Sequence, residues 1–491
     1  MPRTDRLQTS RRSLFHAILG AGIATALGRH GRHAVAAPDP ERKLLFVVAM
    51  AGGASIVDSL LPVSASEAGA KANSVVAYPD QAIGERGGLR YVKKIDGTDP
   101  LGKFSCDYDL ATFLDRHGAD TAVVTQEVTS VNHVVAQKRA VTGAGVDRGR
   151  TLMEAVAAVH GAGLALPNCN FATGGYAEPG TDESVPSFAR GEVVSDPLYF
   201  PLATDASRGI RGGVSRDLLQ HARDVRSTFE ARSPFLTRYG KAKMLEAYRS
   251  RREAARAIED ADLLSKLMLL PEGEVELSEY DLESSPMLAR MVEVFPNLAR
   301  GDAMEAQAAV GFLLARYGIS ASVTLGPTFV PSFLDSGKIV DTPLIFDYSH
   351  TDHVTAQNVM WRRMMQVVDG LVTLLKEEDY LGDAGLGPMW DRSLVYLATD
   401  FGRTKERPSG SLSFGTGHDL SNGNVLVSPL LRGGRVYGGV DPATVKTYGF
   451  DPTTGEPDPS RVMREGDVYS LVAQALGVDF EGRTDMSGLV R

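Results

Sequence analysis

Lys43-Leu44-Leu45-Phe46-Val47-Val48-Ala49-Met50, followed by Ala51-Gly52-Gly53, decides how this chain is to be read. A short run of Leu and Val without alternation marks a strand buried on both faces, and the glycine pair marks a tight turn at its end. Thr121 to Thr125, Ala321 to Leu325 and Leu394 to Ala398 have the same character, and Asn424 to Val427 is a further strand candidate. Helical periodicity lies between them at Leu110 to His117, Leu152 to His160, Ala308 to Tyr317 and Val354 to Lys376. Strands alternating with helices predict an α/β fold with a largely parallel sheet flanked by helices.

Residues 214–300 are dense in Arg, Ala, Glu and Leu at helical spacing, which predicts a helical insertion or cap. Pro167 to Pro201 is rich in Gly, Pro, Ser and Asp and reads as a long ordered loop. There is no internal repeat and no low-complexity tract.

The N-terminus has a separate character. Arg11-Arg12 precedes a short uncharged run, Ala17 to Leu27, and Ala34-Val35-Ala36 supplies a small-x-small cleavage pattern. Residues 1–36 therefore read as a twin-arginine signal peptide. The translocase of that route is an expected transient partner, and the mature chain is expected in the periplasm or outside the cell. Without residues 1–36 the chain loses six basic side chains and one acidic, leaving a net charge of −14. That balance argues against nucleic acid as a partner. No later stretch reaches eighteen consecutive apolar residues, so no membrane span is expected in the mature chain. Cys106 and Cys169 fit one disulfide in an oxidising compartment or two buried thiols equally well.

In an open α/β sheet, ligands bind beyond the carboxyl ends of the strands. Four segments stand there. Gly52-Gly53-Ala54-Ser55 leads to Asp58. Thr129-Ser130 lies just before His133 and Gln137, which are one helical turn apart. Asp347-Tyr348-Ser349-His350 is followed by His353, three residues on and on the same face if the segment is helical. Asp400-Phe401-Gly402-Arg403 is followed by Gly417-His418. Of seven histidines after residue 36, four fall in these segments. Asp and His together suit divalent metals. A hydroxyl at a helix start is an N-cap or a nucleophile, and Arg403 is either an ion-pair partner or a grip for an anion.

Taken in order, these pieces resemble the exported bacterial family called domain of unknown function 1501. The most specific matches are Phe401-Gly402-Arg403-Thr404 and Gly433-Gly434-Arg435-Val436-Tyr437-Gly438. The resemblance spans roughly residues 43–490 and implies a fold related to the alkaline phosphatase and sulfatase superfamily. It further implies hydrolysis of phosphate or sulfate esters with one or two divalent ions: zinc, manganese, calcium or magnesium. Carried over by position, Ser130 or Thr129 is the nucleophile, His133 and Arg403 assist, and Asp58, Asp347, His350, His353, Asp400 and His418 are metal ligands. Ser55 stands where the family carries an aspartate. The alternative is a non-catalytic envelope protein that binds or assembles with an exported partner protein.

Overall fold

The computed structural model describes residues 39–95, 106–205, 213–326, 332–333, 339–341 and 345–491. Excepted within these are 243, 246–247, 249–251, 253–255, 257, 260, 271–275, 281, 409–410 and 412–413. The signal segment, residues 1–36, lies outside the described residues. The chain forms two compact units: residues 196–288 in one, and residues 38–195 with 289–491 in the larger.

The larger unit is mixed α/β around an eight-stranded sheet. Its strands are β1 (Leu44–Met50), β2 (Thr121–Glu127), β3 (Asn168–Asn170), β4 (Glu192–Val193), β5 (Ser322–Leu325), β6 (Ser393–Thr399), β7 (Ser421–Val427) and β8 (Arg435–Tyr437). Across the sheet they run β8-β2-β7-β6-β1-β5-β3-β4. The principal helices of the chain are α1 (Leu110–His117), α2 (His133–Thr142), α3 (Leu152–His160), α4 (Arg216–Arg232), α5 (Ala303–Arg316), α6 (His353–Glu377) and α7 (Glu465–Ala475).

The LLFVVAM strand sits at the centre. It pairs in parallel with β6 on one side, Leu44 opposite Ser393 through Met50 opposite Thr399, and with β5 on the other. Side chains alternate across the sheet. Leu45, Val47 and Ala49 enter one core with Val141, Val156, Leu471 and Val472 of α2, α3 and α7. On the opposite face α5 comes so close that a Cβ on Gly311 would meet Val323 Cγ1 at 2.9 Å. Helices on both faces explain why the central strands are apolar throughout.

The sheet is mostly parallel, with β7 the exception: it runs antiparallel between β6 and β2. The expected loop between Pro167 and Pro201 instead contributes β3 and β4, a parallel pair extending the sheet beside β5. At two and three residues they are too short to show a pattern. Cys169 lies on β3, and it and Cys106 are separate buried thiols.

The orientation of β7 brings the site together. Ser421 opens β7 opposite Glu127, the last residue of β2, so residues just before β7 arrive at the edge where β1, β2 and β6 end. Residues 196–288 hold α4, a short helix Pro234–Tyr239 and another at Leu263–Leu267; Leu263, Leu264 and Leu267 are buried. Among the described residues no helix is long and apolar enough to cross a membrane.

Candidate metal centre

Asp400 follows β6 and is fully buried. Its Oδ1 accepts Gly53 N at 2.7 Å and Phe401 N at 3.2 Å; its Oδ2 accepts Gly52 N at 3.1 Å and His133 Nδ1 at 2.9 Å. A carboxylate has about four acceptor positions, so these donors saturate it. Asp400 therefore closes the glycine turn and aims His133. The positive φ of Gly53, 81°, and the 2.7 Å that would separate a Cβ from Arg403 Nε make glycine necessary there.

His133 opens α2, whose N-cap is Asn132; its side chain accepts Val135 N. The hydroxyl residues expected at this helix start do not cap it. Thr129 donates from N and Oγ1 to Glu465 Oε1 at 2.7 and 2.8 Å and is held by Arg139. Ser130 Oγ accepts Asn132 N at 3.2 Å. Among the described hydrogen bonds neither hydroxyl reaches His133, Asp347 or His418.

With Nδ1 committed to Asp400, His133 turns Nε2 toward Asp347 Oδ1 at 3.3 Å. The same oxygen is 3.2 Å from His350 Nε2, 3.8 Å from His418 Nε2 and 2.9 Å from an Arg403 terminal nitrogen. His350 Nε2 and His418 Nε2 are 2.9 Å apart. His418 precedes β7 in a small hairpin with Gly402–Arg403, and its Nδ1 donates to Val131 O at 2.9 Å, which leaves the Nε2 lone pair facing the cluster. His133, Asp347 and His418 offer ligand atoms all within 4.8 Å of one another.

The electrostatics follow from this crowding. Burial would lower the His133 pKa, but hydrogen bonds to Asp347 and Asp400 and their charges outweigh it and raise it to about 9. Burial would likewise raise Asp347, yet His133 and Arg403 hold it well below the usual carboxylate range. His418 is pushed down by burial and by the nearby positive charges of Arg403, His133 and His350, so it stays a neutral imidazole. The protonated His133 supplies positive charge between the two carboxylates.

Arg403 is entirely buried. One terminal nitrogen donates to Gly52 O, Phe346 O and Asp347, and the other to Thr416 O at 3.4 Å. The side chain thus cross-links three connections and faces inward, where the sequence also allowed a grip on an external anion.

Asp58 and His353, read from sequence alongside the other ligands, form a pair of their own. His353 Nε2 is 3.0 Å from Asp58 Oδ1, and both are 1 % exposed. Tyr78 O–H donates to the same Asp58 oxygen at 2.5 Å, and His353 Nδ1 meets Thr416 Oγ1 at 3.0 Å. His350 and His353 do not share a face. His350 ends a 3₁₀ turn, Ile345–His350, and Asp352 caps α6, so the chain changes direction between them.

Three positioning residues escaped the sequence reading. Gln357 accepts Ser55 N and donates to Gly53 O, both at 2.9 Å. Asn422 accepts Ile56 N and donates to Ala54 O and Phe401 O, locking the turn after β1 to that after β6. Glu465 holds Thr129 from 336 positions away. Only Asn422, a polar side chain within a buried strand, carried any local signal.

No family model matches the chain, and no curated protein matches it.

Proposed function

We propose that this chain is an exported, divalent-metal-dependent hydrolase of phosphate or sulfate esters, built on a fold of the alkaline phosphatase type and related to the domain of unknown function 1501 family. One observation carries the reading: Asp347 Oδ1 lies 3.3 Å from His133 Nε2 and 3.8 Å from His418 Nε2, and these three residues offer ligand atoms all within 4.8 Å of one another. Ligands about 2.0–2.1 Å from a tetrahedral zinc ion are roughly 3.3–3.4 Å from each other. The donor set, two imidazoles and one carboxylate, fits zinc or manganese better than calcium or magnesium and leaves a coordination position open.

His133, Asp347 and His418 would hold the ion, with His350 beside them, 3.2 Å from Asp347 and 2.9 Å from His418. Asp400 would orient His133 from behind, in the carboxylate–histidine–metal arrangement. A bound ion would supply Lewis acidity and neutralise charge on an ester oxygen. Of the two hydroxyls, Ser130 keeps its O–H free for a ligand among the described residues, whereas Thr129 donates to Glu465. Ser130 is therefore the better candidate for the attacking group.

Elemental analysis of the purified protein, with aryl phosphate and aryl sulfate assays, tests this. One ion per chain and activity that disappears in Asp347→Asn are expected. A protein that takes up neither zinc nor manganese on reconstitution sinks the proposal. The inward commitment of Arg403 and Thr129 favours a second reading, a non-catalytic envelope protein with an exported partner. That reading gains if metal binds but neither ester is cleaved.

A further inference from the structure

Helix α4 turns most of its large apolar side chains outward. No residue of Arg216–Arg232 is buried. The half-buried side carries Leu219 and two ion-paired residues: Arg223 lies 2.7 Å from Glu259, and Glu230 lies 2.7 Å from Arg252. The apolar side is the exposed one. Leu218, Val225 and Phe229, spaced seven and four residues apart, share one helical face and are 58 %, 40 % and 72 % exposed. Phe235, Tyr239, Met244 and Tyr248 follow, also exposed, Met244 at 74 %. A single exposed apolar side chain is ordinary, but seven between residues 218 and 248 need an occupant.

Charge says what kind. Residues 213–256 carry eleven Lys and Arg against five Asp and Glu, within a chain whose net charge is −9. Exposed aromatics are flanked by arginine: Arg238 lies 5.8 Å over the Tyr239 ring, and Arg252 lies 5.3 Å over Tyr248. Phe and Leu along one helix side with arginines at the border is the pattern of a helix lying in a bilayer interface. Tyr beside Arg suits the headgroup level.

The geometry points to a membrane-interface site: α4 and the segment through Tyr248 dock on anionic lipid, with Leu218, Val225 and Phe229 entering the acyl boundary and Arg226 and Arg232, beside that face, meeting headgroup phosphates. This assignment is independent of the metal centre.

The test is co-sedimentation of the full chain with vesicles of phosphatidylcholine alone and of phosphatidylcholine mixed with phosphatidylglycerol. The chain should sediment with the mixed vesicles, not with phosphatidylcholine alone, and be released by salt. Phe229→Asp and Leu218→Asp should each lower binding by about tenfold or more with the melting midpoint unchanged. Arg226→Glu with Arg232→Glu should abolish the preference for phosphatidylglycerol. No binding to mixed vesicles at low salt overturns the assignment, as does binding that Phe229→Asp leaves intact. A dimer dissociated by Phe229→Asp, or capture by an acidic protein, without vesicle binding gives the surface to a protein and likewise overturns it.

Discussion

His133 Nδ1 rests 2.9 Å from Asp400 Oδ2, and this contact joins the helix after β2 to the turn after β6. Because a carboxylate only accepts, it fixes the proton on Nδ1 and leaves Nε2 for the cluster. In Asp400→Asn an amide N–H can face Nδ1 and favour the opposite tautomer. Metal affinity should fall about 10–100-fold while one ion per chain can still be loaded. The unpaired Gly52 N–H should cost about 1–3 kcal/mol. Titration calorimetry with zinc and a melting curve give both values; unchanged affinity would detach Asp400 from the site.

The pair Asp58–His353 makes the opposite prediction. It is buried and held on its own partners, Tyr78 O–H and His353 Nε2 on Asp58 Oδ1 and Thr416 on His353 Nδ1. His353→Ala should destabilise the fold by about 3–5 kcal/mol, because Asp58 is left charged and buried. Metal content of the protein that still folds should match wild type. If loss of His353 removes the ion at unchanged stability, this pair is a ligand set after all.

Arg403 and Gly53 are predicted to fail together. Gly53→Ala would set its Cβ 2.7 Å from Arg403 Nε and 2.8 Å from Phe401, at a φ of 81°. The strain should cost about 1–3 kcal/mol. Arg403→Lys keeps the charge but loses the fork that reaches Gly52 O, Phe346 O and Asp347, and should cost a similar amount. The double variant should lose less than the sum of the single losses, since both disturb one contact. Strict additivity in denaturant melts counts against this coupling.

Away from the site, burial raises the Glu192 carboxyl on β4 to about 7. The folded state then holds this proton more tightly than the unfolded chain does. The stability contribution is complete below about pH 4.5 and is lost as pH rises through 7. Glu192→Gln should be more stable than wild type by about 1–3 kcal/mol at pH 8, and the difference should shrink toward pH 5. Parallel melting curves across that range would show the carboxylate to be solvated.

Much of the fold was legible because its signals are local. β1 and β6 are continuous apolar runs, and α1 and α3 fall where the 3.6-residue period put them. The order of strands was not legible, since pairing joins residues hundreds apart, and β3 and β4 are too short for a period. The site divides in the same way. His133, Asp347, His350, Asp400 and His418 stand out as polar residues after buried runs. The departure of His353 from them depends on where a 3₁₀ turn ends and α6 begins, which three-residue spacing does not reveal. The saturation of Asp400 depends on backbone amides, which no side-chain pattern records.

The cluster also carries information about time. Its donors come from residues 133, 347 and 418, on connections that meet only after β7 has slotted between β6 and β2. Long-range strand pairing of this kind forms slowly, after local helices. No fragment that stops short of β7 can bring residue 418 to the other donors, so uptake of an ion would be one of the last events in folding. It would close a chain loop of nearly three hundred residues and slow the reopening of the sheet at its most distant seam.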